Sequence, residues 1–177
     1  MGCGNHERLG YTHTAYIGVG SNIGDRADNC RKGISAINGC GGCMVEAQSP
    51  FYETEPVYLE SQDWFVNGVA KILTDLEPEA LYTKLKAIEH SMGRRSRERR
   101  FGPRILDLDI LFYDDRILRG GLVQIPHPRL HERRFVLKPL CNIAPDLVHP
   151  VLGQTVQSLL SDLKDGGKRV ILYKCDY

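Results

Sequence analysis

The sequence predicts an α+β fold, with an antiparallel sheet covered by two helices. Segments that alternate apolar and polar residues, as β-strands do, are interspersed with two segments that carry apolar residues at helical spacing. Their order is β-α-β-β-α-β, which is that of the ferredoxin-like arrangement, with both helices on one face of the sheet. The chain has 177 residues, which is enough for one domain with its own core and rarely enough for two.

The first half of the pattern opens with a strand at residues 12–20 and a helix at residues 25–38. The helix carries one apolar stripe, which consists of Ala27, Cys30, Ile34 and Ile37. Strands are predicted next at residues 44–52 and 64–73, separated by a loop that contains Pro56.

The second half opens with a helix at Glu77-Pro78, because proline is favourable in the first turn of a helix. Gly93 is expected to end this helix at the C′ position. Residues 105–113 form the fourth strand. The C-terminal additions to the core are short helices near residues 135–142 and 155–163 and a last strand at residues 170–174. Because both core helices cover one face, the other face is expected to carry the functional site.

Composition limits the possible functions. The formal net charge is +1. The overall charge therefore does not indicate a polyanionic partner, and we expect no nucleic-acid partner. No apolar run is long enough to cross a membrane and no secretory signal opens the chain, so we expect a cytoplasmic protein with free thiols and no obligate protein partner. Cys40 and Cys43 form a C-x-x-C pair without the second pair that a zinc site needs. Residues 1–10 are expected to be a mobile leader, and residues 11–177 a single domain.

The fourth strand contains two carboxylates two residues apart. Since strand side chains alternate between faces, Asp107 and Asp109 point to the same side. Leu106, Leu108, Ile110 and Phe112 are expected to point the other way, into a core. Two carboxylates about 6–7 Å apart repel by about 2–3 kcal/mol at an effective dielectric constant of about 20. A cation is therefore expected between them, and Mg²⁺ is the leading candidate because it binds carboxylate and phosphate oxygens.

A cluster of arginines precedes these carboxylates. It consists of Arg94, Arg95, Arg97, Arg99, Arg100 and Arg104. Arginine binds phosphate oxygens through two parallel hydrogen bonds and keeps its charge. An isolated arginine run would indicate a solvated loop or a nucleic-acid patch, and an isolated Asp-x-Asp would indicate solvated acids on an edge strand. Joined by Gly102-Pro103, the two together favour a metal–phosphate site.

Two further motifs are less specific. The glycines of residues 18–24 miss the dinucleotide-binding pattern by one residue, and we interpret the segment as a tight turn leading into a helix. No Walker A motif is present, so side chains would have to hold a phosphate. His127 lies between Pro126 and Pro128. The residues alone leave two interpretations of His127 open: a ligand of a phosphate or ribose, or a loop histidine without a role.

These motifs together resemble the 6-hydroxymethyl-7,8-dihydropterin pyrophosphokinase family of folate biosynthesis. The likeness is carried by Gly102-Pro103-Arg104 and Asp107-Leu108-Asp109-Ile110, with Arg94 upstream and Pro126-His127-Pro128-Arg129 downstream. It extends from Ala15 to about Val148. The Gly-Pro-Arg-x-x-Asp-Leu-Asp string is specific, whereas a bare Asp-x-Asp would be weak.

The resemblance implies transfer of pyrophosphate from ATP to the pterin hydroxymethyl group, with release of AMP and two Mg²⁺ ions on Asp107 and Asp109. The small-molecule partners are then ATP and a reduced pterin. Catalytic roles are implied for Arg94, Arg104, Asp107 and Asp109. The implied ATP-binding residues are Glu89, Arg94, Arg104, Ile110, His127 and Arg133. The implied pterin-binding residues are Thr54, Val57, Phe65, Asn67, Phe101 and Phe135, with the rings of Phe65 and Phe135 on the two sides of the pterin.

Three positions depart from the family pattern. Phe101 stands where many relatives have Trp, and Leu122 replaces a basic residue that some relatives have near the triphosphate. Glu55 stands where many relatives have Pro, so the first pterin loop is expected to be less rigid. None of the three is a metal ligand or a member of the aromatic pair.

Two alternative functions share this sheet. A two-metal nucleotidyltransferase with a palm-like sheet also uses paired Asp residues, but the sequence shows no extended basic channel outside residues 94–104. An RNA-binding module would need exposed aromatic and basic residues on the central strands. The paired acids here would repel RNA, so this second alternative is weaker.

Overall fold

The protein is described from a computed structural model that covers residues 10–57, 61–93 and 102–174. An antiparallel sheet of six strands lies in these ranges: β1 (His13–Ser21), β2 (Cys43–Gln48), β3 (Tyr52–Thr54), β4 (Phe65–Thr74), β5 (Asp107–Tyr113) and β6 (Val170–Leu172). The helices there are α1 (Arg26–Gly39), α2 (Pro78–Ser91), α3 (Arg134–Ile143) and α4 (Val156–Asp162), with a short 3-10 helix at Leu130–Glu132. The predicted α+β class is confirmed, and the elements follow in the predicted order except that two strands replace the one predicted at residues 44–52. The leader predicted at residues 1–10 stays a prediction, because residues 1–9 lie outside the described residues.

The strand order is β5-β1-β4-β3-β6, and β2 pairs with the other half of the long strand β4. The sequence predicts one strand at residues 44–52, and this is wrong, because the chain leaves the ladder at Ser49-Pro50. Pro50 has no N–H to donate. Ser49 closes the gap instead: its N–H donates to Val69 O at 2.9 Å, and its Oγ accepts from Val69 N at 3.0 Å. The break makes β3 a separate short strand beside the first half of β4.

The first core lies between the sheet and the helices α1 and α2. The predicted apolar stripe of α1 is buried there, facing Ile17 of β1 and Leu106. The two layers approach closely at Gly33, where an added Cβ would lie 2.9 Å from Leu106 Cδ1. The predicted ends of α2 are also confirmed: Pro78 is in its first turn, and Gly93 follows its last turn with φ +99.

A second core lies on the opposite face, where α3 and α4 pack on part of the sheet. Phe112 belongs to this core, so the prediction that it shares a face with Leu108 and Ile110 is wrong. The register explains the difference: Phe112 pairs with Tyr16 and Ile110 pairs with Ile17, which leaves Leu111 as the extra residue of a β-bulge. A bulge places two successive side chains on similar sides of a strand. The second face is therefore only partly open, and its open part carries Asp107 and Asp109.

The C-terminal segment completes the sheet. Its strand β6 pairs with β3, and Tyr173 N donates to Phe51 O at 2.9 Å. The short C-terminal helices and this strand were all predicted to within two residues. No helix in the described parts of the chain is long and apolar enough to cross a membrane.

Candidate active site

A cavity of about 170 Å³ lies on the open part of the second face, between the sheet and the start of α3. The sequence-predicted site residues that line it are Thr54, Val57, Phe65, Asn67, Arg104, Asp107, Asp109, His127, Arg133 and Phe135. Glu89 and Ile110 do not line it. Arg94 and Phe101 lie outside the described residues, so their roles stay predictions. Elements far apart in sequence thus bring most of the predicted residues to one place.

The register shows how the cavity is laid out. Asp107 lies opposite Gly20, and Gly20 lies opposite Asn67 on its other side. Asp107, Gly20 and Asn67 therefore lie side by side on three neighbouring strands. Neighbouring strands are about 4.8 Å apart, and the middle residue has no side chain. We call Arg104, Asp107, Asp109 and His127 the acidic end of the cavity. We call Thr54, Phe65, Asn67 and Phe135 its aromatic end.

The glycines of β1 form the floor between the two ends. Gly18 and Gly20 lie in the strand predicted at residues 12–20, and β1 ends one residue later, at Ser21. A Cβ on Gly20 would lie 2.5 Å from Asn67 Oδ1, and one on Gly18 would lie 3.3 Å from Leu111 Cδ2. Glycine at these two positions therefore lets the side chains of Asn67 and Leu111 lie close against β1, and both glycines line the cavity. Sequence reasoning missed this role, although the alternation of small residues within a predicted strand is a signal of close approach.

At the acidic end the carboxylates are partnered by cations. Arg104 NH1 donates to Asp107 Oδ2 at 2.5 Å, and Lys86 Nζ lies 3.7 Å from Asp109 Oδ1. The two carboxylates share one face of β5, as predicted, and both remain partly exposed to the cavity. Their mutual repulsion is therefore offset by basic side chains in this structure.

Asn22 fixes the segment that carries Arg104. Its N–H donates to Arg104 O at 3.0 Å, and its Oδ1 accepts from Arg104 N at 2.6 Å. Its Nδ2 donates to Gln62 Oε1 at 3.2 Å. The side chain is almost fully buried, with 2% of the residue exposed. Asn22 thus ties the arginine segment and the loop before β4 to the end of β1, and no pattern in the sequence indicates this role.

The outer edge of β5 is held by Lys86 and Glu89. Leu108 N donates to Glu89 Oε1 and Lys86 Nζ donates to Leu108 O, both at 2.7 Å. Lys86 also donates to Glu89 Oε1 at 2.7 Å. Burial raises the pKa of Glu89, and the charge of Lys86 opposes this effect. Lys86 and Glu89 therefore supply hydrogen-bond partners for the backbone N–H and C=O of Leu108, the residue between the two aspartates.

Glu89 is 1% exposed, so its predicted contact with ATP stays a prediction that this position does not favour. The side chain of Ile110 points into the first core. Its backbone groups point in the same direction as those of Leu108, because strand hydrogen-bonding groups repeat every second residue. Any contact of Ile110 with ATP would therefore be made by its backbone, at the edge of β5.

His127 is oriented by the backbone around it. Its N–H donates to Leu111 O at 2.9 Å, and its Nδ1 accepts from Arg129 N at 3.1 Å. Burial lowers the pKa of His127, Arg133 lowers it further, and the charges of Asp109 and Asp107 oppose them. A neutral ring whose Nδ1 accepts a hydrogen bond carries its proton on Nε2. The neutral His127 ring can therefore donate a hydrogen bond from Nε2 in the cavity lining.

The aromatic end is built from two layers. Phe65 belongs to β4 of the sheet, whereas Phe135 belongs to the first turn of α3, which packs over the sheet. Asn67 Nδ2 donates to Thr54 Oγ1 at 2.7 Å, so the amide is oriented. The guanidinium of Arg133 lies 5.6 Å from the centre of the Phe135 ring. A flat, polar-edged ring would find aromatic walls and an oriented amide here.

The donor set at the acidic end fits Mg²⁺. Both carboxylates supply oxygen ligands, and among the described residues no group of three or more His, Cys, Asp or Glu side chains could hold a metal on its own. Mg²⁺ is often bound through one or two carboxylates, with phosphates and water completing its coordination. The arrangement therefore suits a metal that arrives with a polyphosphate.

Comparison with known proteins identifies the family. The model of the 7,8-dihydro-6-hydroxymethylpterin-pyrophosphokinase (HPPK) family matches residues 16–145. The chain belongs to this family. The match spans both ends of the cavity, from β1 to α3. The family predicted from the sequence motifs is confirmed.

Individual relatives agree with the family match. The folic acid synthesis protein fol1 of Schizosaccharomyces pombe is 42% identical over 156 residues, which are 88% of this chain and 21% of that protein. The 2-amino-4-hydroxy-6-hydroxymethyldihydropteridine pyrophosphokinase of Methylorubrum extorquens is 41% identical over 86% of this chain and 95% of that protein. The chain thus spans about a fifth of the first relative and nearly all of the second.

Solved structures confirm the fold. The crystal structure of Plasmodium falciparum HPPK-DHPS with pteroate matches with a TM-score of 0.69 at 16% identity, over 85% of this chain and 42% of that chain. This likeness concerns the fold alone. Neither the nucleotidyltransferase nor the RNA-binding alternative is supported by the family or by the relatives.

Proposed function

We propose that this protein transfers the pyrophosphoryl group of ATP to the hydroxymethyl oxygen of 6-hydroxymethyl-7,8-dihydropterin. The observation that carries the proposal is a single cavity, in a member of this family, with an aromatic pair at one end and paired aspartates with Arg104 at the other. Gly18 and Gly20 of β1 line the cavity between the two ends. Such a cavity suits a flat heterocycle and a polyphosphate that must react with each other.

In this reaction the hydroxyl oxygen of the pterin attacks the β-phosphorus of ATP. A bond forms between these two atoms, the bond from the β-phosphorus to the α–β bridging oxygen breaks, and AMP leaves with that oxygen. The hydroxyl proton is released. Phosphoryl transfer depends mainly on positioning and on stabilising charge, so the protein needs no covalent intermediate.

The aromatic end would position the acceptor. Phe65 and Phe135 stack on the pterin from the sheet side and the helix side, and Asn67, held by Thr54, pairs with its polar edge. Val57 closes the cavity from the loop after β3, and Phe101 is proposed to contact the pterin as well. A nucleophile held in this way is close to its target before the reaction starts.

The acidic end would hold the triphosphate. Arg104 exchanges its contact with Asp107 for a phosphate, and Arg133 and His127 donate to other phosphate oxygens. Two Mg²⁺ ions on Asp107 and Asp109 would neutralise phosphate charge and favour ionisation of the attacking hydroxyl. Arg94 is proposed as a further phosphate ligand, and the backbone of Ile110 as an adenine or ribose contact.

Other predictions remain proposals of the same kind. We place the protein in the cytoplasm, with ATP and a reduced pterin as its partners and no nucleic acid. We also propose that residues 11–177 act as one domain. Glu89 is proposed to act on ATP only indirectly, through the position of β5.

The test is release of AMP from ATP and Mg²⁺ in the presence of 6-hydroxymethyl-7,8-dihydropterin. Asp107→Ala and Asp109→Ala are measured in parallel, with Asp115→Ala as the matched control, because Asp115 is an exposed acid just beyond the other end of β5. We expect AMP formation that requires the pterin, falls by about a thousandfold or more in the first two variants, and is unchanged in the control. EDTA should abolish it.

Pterin-independent AMP formation, or none from a folded protein that binds ATP, would show that the acceptor is wrong. Full activity in Asp107→Ala or Asp109→Ala would show that the metal site is wrong. The two outcomes separate the reaction from the assignment of its residues.

A further inference from the structure

The C-terminal segment from Leu163 to Arg169 lies behind the aromatic end of the cavity. It connects α4 to β6, so it passes from the helical layer to the edge of the sheet. A small second cavity adjoins it, lined by Glu55, Phe135, Asp165 and Arg169 among others. The segment therefore borders the aromatic end without belonging to the main cavity.

One end of this segment is tied to α3. Arg134 Nε donates to Asp165 Oδ2 at 2.8 Å, and its NH2 donates to Asp165 Oδ1 at 3.2 Å. NH2 also contacts Leu163 O at 3.4 Å. Burial works against ionisation of Asp165, but the hydrogen bonds from Arg134 and from Gly167 N–H outweigh it and lower its pKa. Arg134 directly precedes Phe135, so this end is fixed to the helix-side wall.

The other end is tied to the loop that leads from β3 to β4. Arg169 Nε donates to Glu55 Oε1 at 2.8 Å, Arg169 N donates to Glu55 Oε2 at 2.9 Å, and Glu55 N donates to Arg169 O at 3.2 Å. The guanidinium of Arg169 also lies over the Trp64 ring, 4.7 Å from its centre. Trp64 directly precedes Phe65, so this end is fixed beside the sheet-side wall.

We infer that this segment is a tie that sets the separation of Phe65 and Phe135, and that Arg169 is a positioning residue for pterin binding. The inference rests on the proposed function, because it takes the two rings as the walls of the pterin site. Stacking weakens as the separation of two rings departs from contact distance. A tie that never touches the substrate can therefore set its affinity.

The tie also restricts the loop at Glu55, the position where many relatives have Pro. The sequence leads us to expect a less rigid loop where many relatives have Pro, but the structure shows Glu55 held by side-chain and backbone bonds to Arg169. An ion pair across the sheet edge here replaces the restriction that proline would impose on φ.

The test compares Arg169→Ala with Arg116→Ala. Arg116 is a matched control, since it also pairs with a glutamate, Glu77, and lies over an aromatic ring, that of Tyr113, but it lies away from the cavity. We expect Arg169→Ala to raise the KM for the pterin by about three- to tenfold while the KM for ATP stays within about twofold. Arg116→Ala should change neither constant.

Two further variants separate positioning from general loss of structure. Arg169→Lys keeps the charge but loses the planar fork, so an intermediate KM for the pterin is expected. Glu55→Arg combined with Arg169→Glu restores the ion pair and should recover part of the affinity that either single change loses. The dissociation constant of the pterin, measured by calorimetry with a non-hydrolysable ATP analogue, should follow the same order.

An unchanged KM for the pterin in Arg169→Ala, or an equal rise in both KM values, would overturn the inference. No rescue in the double variant, with the thermal midpoint preserved, would also overturn it. Failure of the proposed function is a different result: wild-type protein would then release no AMP in the presence of the pterin.

Discussion

The two ends of the cavity are stabilised in different ways. At the acidic end, Asp107 and Asp109 are partnered by Arg104 and Lys86, and under the proposed function the phosphates and metal would replace or share those partners. At the aromatic end, the segments that carry Phe65 and Phe135 are fixed by the ion pairs Arg169–Glu55 and Arg134–Asp165. We therefore expect the side chains of the acidic end to rearrange when a ligand binds, whereas those of the aromatic end are already in place before binding. Changes at the acidic end should therefore affect ATP and the chemical step, and changes at the aromatic end should affect the pterin.

After the two aspartate variants described above, Arg104→Met is expected to have the largest effect. The guanidinium would stabilise charge on the phosphates as the bond to AMP breaks, and loss of one such donor lowers kcat by about 10²–10³-fold. Pterin binding should be nearly unchanged. Arg129→Met is the control, because Arg129 is an exposed arginine of the neighbouring loop that pairs with Glu132. A large rise in the pterin dissociation constant of Arg104→Met would contradict the separation of the two ends.

Lys86→Met tests the support of the acidic end. It leaves the buried carboxylate of Glu89 without its nearest cation. Removing one partner of a fully buried ion pair costs about 3–5 kcal/mol. Because Lys86 is partly exposed, we expect Lys86→Met to lower the free energy of unfolding by about 2–3 kcal/mol. Lys86→Met combined with Glu89→Gln should recover most of this loss, since no buried charge remains and the Gln oxygen can still accept from Leu108 N. Chemical denaturation measures both, and a double variant no more stable than the single one would contradict this account of the pair.

Phe65→Ala tests the aromatic end. Stacking of a heterocycle on an aromatic side chain contributes about 1–3 kcal/mol, so we expect the KM for the pterin to rise by about tenfold or more. The KM for ATP should change by less than about twofold. Phe65→Leu keeps most of the apolar volume and separates stacking from simple burial, because it should recover little of the affinity if ring stacking dominates. Equal effects on the two substrates would show that the ends are not independent.

The sequence predicts the local parts of this molecule well and its long-range parts poorly. The alternation of residues 107–113 predicts that Asp107 and Asp109 share a face, because only the strand period is needed. It does not predict the bulge at Leu111, which depends on the partner strand β1. Nor does it predict the pairing of Glu55 with Arg169, which are 114 positions apart in the chain.

The candidate site shows the same division. Arg104, Asp107 and Asp109 lie in one short motif and are visible in the sequence. The roles of Asn22 and Lys86 depend on backbone groups of residues far along the chain, namely Arg104 and Leu108. Tertiary hydrogen bonds of this kind leave no periodic pattern, since each depends on where a strand edge or a loop happens to need a partner.

The smallest expected effect concerns a buried histidine that contacts the second core. His149 is buried, its Nδ1 accepts from Val151 N at 3.2 Å, and its ring contacts that of Phe112 in the second core. Burial lowers the pKa of His149, and the neighbouring His131 lowers it further. The unfolded chain, with a histidine pKa of about 6.5, therefore takes up a proton that the folded protein resists.

The sign of the pH effect follows from this difference. The contribution of His149 to stability is fully present above the unfolded pKa and is lost as the pH falls from there through the lower pKa of the folded protein. His149→Asn keeps an oxygen that can accept from Val151 N but removes the titration. The free energy of unfolding should therefore fall more in the wild type than in His149→Asn between about pH 7.5 and about pH 5.5, as measured by chemical denaturation. Because His127 titrates in both proteins, its effect cancels in this comparison, and equal slopes would show that His149 is as easily protonated in the folded protein as in the unfolded chain.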